Sequence, residues 1–135
     1  MMGKKGMIRG IAPIMAIVMA IGLPLAAAEM EPMISQEQLV TRMSSGEAPP
    51  LIDVRTPQEF QAGHIPGAVN IPLQEFEQRF DELSAYKDRE AVLYCESGMR
   101  ASHGGGWLES QGFDQLRYLD GHMGAWRRSG LPSEQ

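Results

Sequence analysis

Four short apolar runs, each bounded by turn residues, recur along this chain: LIDV (51–54), GAVNIP (67–72), AVLYC (91–95) and LRYLD (116–120). Runs of that length without a helical period read as buried strands. Between them lie segments with helical spacing and their own start and stop residues. Ser35, with Gln38 three residues on, opens a helix that carries Leu39, Val40 and Met43 and stops at Gly46. Thr56, Pro57 and Glu59 supply the cap, first-turn proline and capping-box acid of a short helix ending at Gly63. Leu73, Phe76, Phe80 and Leu83 recur at spacings of three and four, which predicts a helix over 73–83. Further helices are expected over 101–112 and 123–130. Strands alternating with helices predict an α/β domain with a mainly parallel sheet, and 135 residues hold one such domain, not two.

Residues 1–28 stand apart from that pattern. Lys4, Lys5 and Arg9 make a basic start, Ile11 to Ala28 carry no charge, and Ala26 and Ala28 form the small-x-small pattern of a signal-peptide cleavage site. The expected division is a signal peptide over 1–28, a flexible lead-in over 29–33 and a folded domain over 34–135. That reading makes the protein periplasmic. The alternative is a retained N-terminal anchor facing the same compartment, because the uncharged run is at the short edge of a membrane span; Pro24 and the alanine finish favour cleavage. All 17 acidic residues, but only the basic residues other than Lys4, Lys5 and Arg9, lie beyond residue 28. The resulting negative domain argues against nucleic acid or an anionic membrane as partner.

Cys95 is the only cysteine, and it stands where AVLYC breaks into the polar loop ESGMR. In parallel sheets, functional groups collect beyond the carboxyl ends of the strands. Only Glu96, Ser97, Gly98, Met99 and Arg100 separate Cys95 from the helix expected at Ala101. A loop that short must curl around the sulfur, turning its N–H groups and those of the helix's first turn inward. Such a cradle favours thiolate over thiol. Gly98 supplies the backbone freedom for the curl, and Arg100 adds a fixed positive charge at the rim. Cysteine phosphatases space their arginine as Cys-x5-Arg, whereas here it is Cys95-x4-Arg100, a loop better sized for one extra sulfur atom than for a phosphoryl group. Thioredoxin-type redox chemistry needs a second cysteine. Sulfur transfer through a persulfide remains.

Three segments carry a resemblance to a known family: LIDVRTPQEFQAGHIPGAVNIPL (51–73), VLYCESGMRAS (92–102) and GFDQLRYLDGHMGAWRRSGLP (112–132). In order and spacing the chain resembles the rhodanese family, and among its members the small exported single-domain proteins. The resemblance implies a parallel sheet of about five strands flanked by helices on both faces. It implies a thiosulfate sulfurtransferase in which Cys95 is catalytic and Glu96, Ser97, Gly98, Met99 and Arg100 bind the substrate. Sulfane sulfur would pass from thiosulfate or a similar anion to cyanide or a thiol. The alternative is a persulfide carrier or sensing module that delivers sulfur to a protein partner. No cofactor or metal is implied, and the expected state is a monomer. Glu96 sets a negative charge directly after the nucleophile, which disfavours a dianionic donor. His122, in DGHMGAW, stands where the family tends to have a second glycine.

Other residues invite simpler readings. Asp53, Arg55 and Glu59 are expected to form a structural ion-pair network, His64 to fix a turn, and Trp107 and Trp126 to lie in the core. Met99 either walls the sulfur or is exposed. Gly104, Gly105 and Gly106 either soften the helix after the loop, since glycine disfavours helix, or let it approach the sheet closely. His103 and His122 with a single cysteine give no zinc spacing.

Overall fold

The computed structural model describes residues 32–135. The leader and most of the lead-in fall outside that range. Five parallel strands make one sheet in the order β1-β5-β4-β2-β3: β1 Met33–Ile34, β2 Leu51–Asp53, β3 Val69–Asn70, β4 Ala91–Tyr94 and β5 Leu116–Leu119. The helices are α1 Gln36–Ser44, α2 Pro57–Ala62, α3 Phe80–Ser84, α4 Met99–Ser110 and α5 His122–Arg128.

The central strand explains the continuous apolar run. All four residues of β4 are buried, because both its faces are covered. Alternate side chains go to opposite cores. Ile52, Leu93 and Val54 point with Ala101, Leu108, Leu83 and Phe76 into one. Leu51, Val92 and Tyr94 point with Leu39, Met123 and Trp126 into the other. The first core therefore lies under α3 and α4 and the second under α1 and α5.

Both expected capping boxes form: Ser35 with Gln38, and Thr56 with Glu59. Four differences from the sequence reading bear on the sheet and the site. Met33, placed in the lead-in, pairs with Tyr118 in β1, an edge strand too short to leave a pattern. The GAVNIP strand contracts to two residues, although the Ile71 and Leu73 N–H groups still donate to Asp53 and Val54 carbonyls. The helix over 73–83 is broken into a 3-10 turn at Leu73–Glu75 and the short α3. The break falls at Arg79, whose backbone leaves helical angles and whose Nη1 donates to the Asn70 carbonyl at 3.0 Å. Helix α4 starts two residues early, at Met99, so it takes in the end of the cysteine loop.

The three glycines of α4 divide by function. A Cβ on Gly104 would lie 2.7 Å from the Phe76 ring, and one on Gly105 would meet the Tyr118 phenol at 1.9 Å. Gly105 lets the helix sit close on the sheet, and Gly104 lets it sit close on the segment around the 3-10 turn. Gly106 faces open space.

Candidate active site

Strand β4 ends by delivering Cys95, and α4 begins four residues later. Gly98 turns the chain with φ 120°, a conformation that L side chains rarely adopt. The turn folds two main-chain donors onto the sulfur: Gly98 N–H at 3.0 Å and Ala101 N–H at 3.4 Å from Sγ. The outer side of the loop is tied down by α5. The Met123 and Gly124 N–H groups, free in the first turn of that helix, donate to the Cys95 and Glu96 carbonyls at 2.9 and 3.0 Å. The Cys95 N–H in turn donates to His122 Nδ1 at 3.2 Å.

Cys95 is 1% exposed, so its sulfur lies beneath the loop and not on the surface. Burial pushes the thiol up. The His122 side chain and the Ala101 and Gly98 amides outweigh that effect and lower it to about 7. Roughly half the protein then carries a thiolate near neutral pH.

The charged residues around the loop are paired. Arg100 meets Glu59 with both nitrogens, at 2.6 and 2.9 Å. Glu96 pairs with Arg127 at 2.7 Å and with Arg55 at 3.5 Å. Arg55, 2% exposed, also clasps buried Asp53 and donates to the Gly63 carbonyl at 2.7 Å. The Arg100 hydrogen bonds hold the Glu59 carboxyl down at about 2 against the opposing effect of burial. A cleft of about 520 Å³ opens beside the loop, lined by Arg55, Glu59, Glu96, Trp126 and Arg127 among others.

The sequence readings meet this geometry unevenly. Gly98 lies against the sulfur. Ser97 and Met99 are exposed, Met99 at 83%, so Met99 does not wall the sulfur. Arg100 reaches the rim but spends its donors on Glu59, which corrects the grouping of Glu59 with Asp53 and Arg55. His64 fixes a turn as expected, with Nδ1 on the Phe60 carbonyl at 2.8 Å and its ring stacked on Phe60. Trp126 is buried, while Trp107 is partly buried against the first core. Arg127 was not anticipated; it arrives from the last helix, and no spacing pattern announces it. Among the described residues, no group of three or more His, Cys, Asp or Glu side chains is placed to hold a metal.

Compared with known proteins, residues 35–129 match the family model of the rhodanese-like domain. This chain belongs to the rhodanese-like family. A sulfurtransferase of Allochromatium vinosum is 38% identical over 99 residues, covering 73% of this chain and 91% of that protein. A putative sulfur carrier protein of Bacillus subtilis is 35% identical over 95 residues, covering 70% of this chain but only 50% of the relative. Among solved structures, a human single-domain sulfurtransferase superposes with a TM-score of 0.63 at 30% identity, covering 73% of this chain and 97% of that one. The rhodanese-like domain thus spans nearly the whole of two of these relatives and half of the third.

Proposed function

We propose that this rhodanese-like domain is a sulfurtransferase working through a Cys95 persulfide. Sulfur transfer in general is supported by the family and by the sulfurtransferases and sulfur carrier among its relatives. The observation that carries the residue assignment is the convergence of the Gly98 and Ala101 N–H groups on a thiol lowered to about 7. With thiosulfate as donor, the Cys95 thiolate attacks the outer sulfur. A new S–S bond forms, the bond to the sulfonate sulfur breaks, and sulfite leaves with the electron pair. Cyanide or a thiolate then attacks the outer sulfur of the persulfide, forming thiocyanate or a new persulfide and returning the Cys95 thiolate. The loop amides stabilise anionic sulfur throughout, and Arg100 contributes its charge from the rim. The leader read over residues 1–28 supports a periplasmic setting for this chemistry.

A carrier that hands its sulfur to a protein partner is favoured by two observations: the sulfur is covered, and Glu96 stands next to it. Mass spectrometry of protein purified without reductant tests both readings. A gain of one sulfur atom on Cys95, removed by cyanide and absent in Cys95→Ser, is expected. Steady-state turnover with thiosulfate then distinguishes enzyme from carrier, and full transfer activity in Cys95→Ser would overturn both.

A further inference from the structure

Among the described residues, His122 is the one residue other than glycine held at positive φ, at 53°. It follows Gly121, also left-handed at 76°. Histidine tolerates that region better than most side chains, but glycine fits it without strain. The strained backbone puts a buried imidazole directly against the nucleophile. Nδ1 accepts the Cys95 N–H at 3.2 Å. The Nε2–Cδ2 edge lies against Gly98, so close that a Cβ there would sit 2.9 Å from Nε2. Gly98 is also the residue whose N–H reaches Sγ at 3.0 Å. The ring is therefore wedged between the backbone that carries the sulfur and the turn that holds it. Because Nδ1 accepts, a neutral ring carries its proton on Nε2, on the loop side.

Most charged groups around this position are paired with one another. From β2 and the segment after it, Asp53 and Arg55 hold each other; from α2, Glu59 holds Arg100 of α4. Glu96 of the loop is paired with Arg127 of α5, and Arg128 lies beyond Gly124 on the same helix. Asp120 lies just past the end of β5, two residues before His122. No carboxylate bonds the His122 ring among the described residues. Its side chain is also the foremost of the influences that lower the Cys95 thiol.

We propose that His122 is a positioning residue for the sulfur chemistry: Nδ1 fixes the Cys95 main chain, and the Nε2–H edge favours anionic sulfur beneath Gly98. The anion is the thiolate in the free protein and the persulfide in the loaded one. The second half rests on the sulfur-transfer reading; the first does not.

The test is the pH dependence of Cys95 alkylation by iodoacetamide, which needs no sulfur donor, in the wild type, His122→Gly and His122→Asn. Asparagine also tolerates positive φ, and its amide oxygen can replace Nδ1, but it offers nothing at the place of Nε2. We expect His122→Gly to stay folded but to melt below the wild type, because the buried Cys95 N–H loses its acceptor and the ring leaves a space, while its alkylation midpoint rises from near 7. At neutral pH its alkylation should be about fivefold slower, because a one-unit rise takes the thiolate fraction from about a half to about a tenth. His122→Asn should keep the fold and show most of that rise. A wild-type profile in His122→Gly would reduce His122 to a structural residue and overturn the proposal. A wild-type profile in His122→Asn alone would remove Nε2 from it. Normal alkylation shifts with no persulfide on mass analysis would instead fail the sulfur-transfer reading and leave the positioning role standing.

Discussion

Arg100 and Glu59 meet side by side across the mouth of the cysteine loop, Nη1 on Oε1 at 2.6 Å and Nη2 on Oε2 at 2.9 Å. The pair joins two helices that follow neighbouring strands, so the loop that holds Cys95 is braced from outside. Glu59 is also the capping-box acid of α2. One carboxylate thus caps the start of a helix and anchors the rim of the site.

That brace should be acid-sensitive. The Glu59 carboxyl is lowered from 4.5 to about 2 on folding, so its contribution is complete above pH 4.5 and is lost as pH falls toward 2. A thermal melt series should show a steeper acid loss in the wild type than in Glu59→Gln. A double-mutant cycle with Arg100→Ala should give a coupling of about 1 kcal/mol, because both groups are about a third exposed. Additive single effects would mean the pair does not brace the loop.

Arg100 carries a second expectation. If its charge helps hold a donor anion, Arg100→Ala should raise the Michaelis constant for thiosulfate more than it changes turnover. An unchanged constant would confine Arg100 to its pairing with Glu59.

Glu96 neutralises Arg127 and part of the charge on Arg55 beside the cleft. Glu96→Gln should leave these guanidinium groups facing an incoming anion. We expect the Michaelis constant for thiosulfate to fall roughly threefold to tenfold at low salt and the gain to shrink as salt is added. A constant that does not move would show that the donor never samples this field.

The glycines of α4 predict opposite responses to the same substitution. Gly106→Ala adds a methyl group to open space on a helix and should stabilise by about 0.5–1 kcal/mol. Gly105→Ala drives a methyl into the Tyr118 ring and should destabilise by about 1–3 kcal/mol. Denaturant midpoints measure both, and matching signs would contradict the close approach of helix and sheet.

Tyr94, at the end of the central strand, is buried, and its hydroxyl accepts the Ile65 N–H at 3.1 Å. Tyr94→Phe would leave that buried donor unpaired, at a cost of about 1–3 kcal/mol. A neutral result on chemical denaturation would mean that the segment around Ile65 finds another acceptor.

Much of this was open to inspection in the one-dimensional chain, because it depends on neighbours in sequence. Strand periodicity, both capping boxes and the short reach from Cys95 to the next helix are local. They are governed by side-chain alternation, by side chains bonding N–H groups three residues away, and by the few backbone paths available to five residues. Even the departure from glycine at His122 was visible as an oddity. Its meaning was not. The bond from Cys95 to His122 spans 27 positions and that from Arg100 to Glu59 spans 41, and only the strand order of the sheet brings those partners together. The same holds for β1, two residues long and recognisable only through its pairing with β5. The glycines of α4 follow suit, since whether they soften a helix or seat it depends on what lies opposite. Contacts between distant segments arise from packing, in which each surface is shaped by all the others, and no short window of residues contains that information.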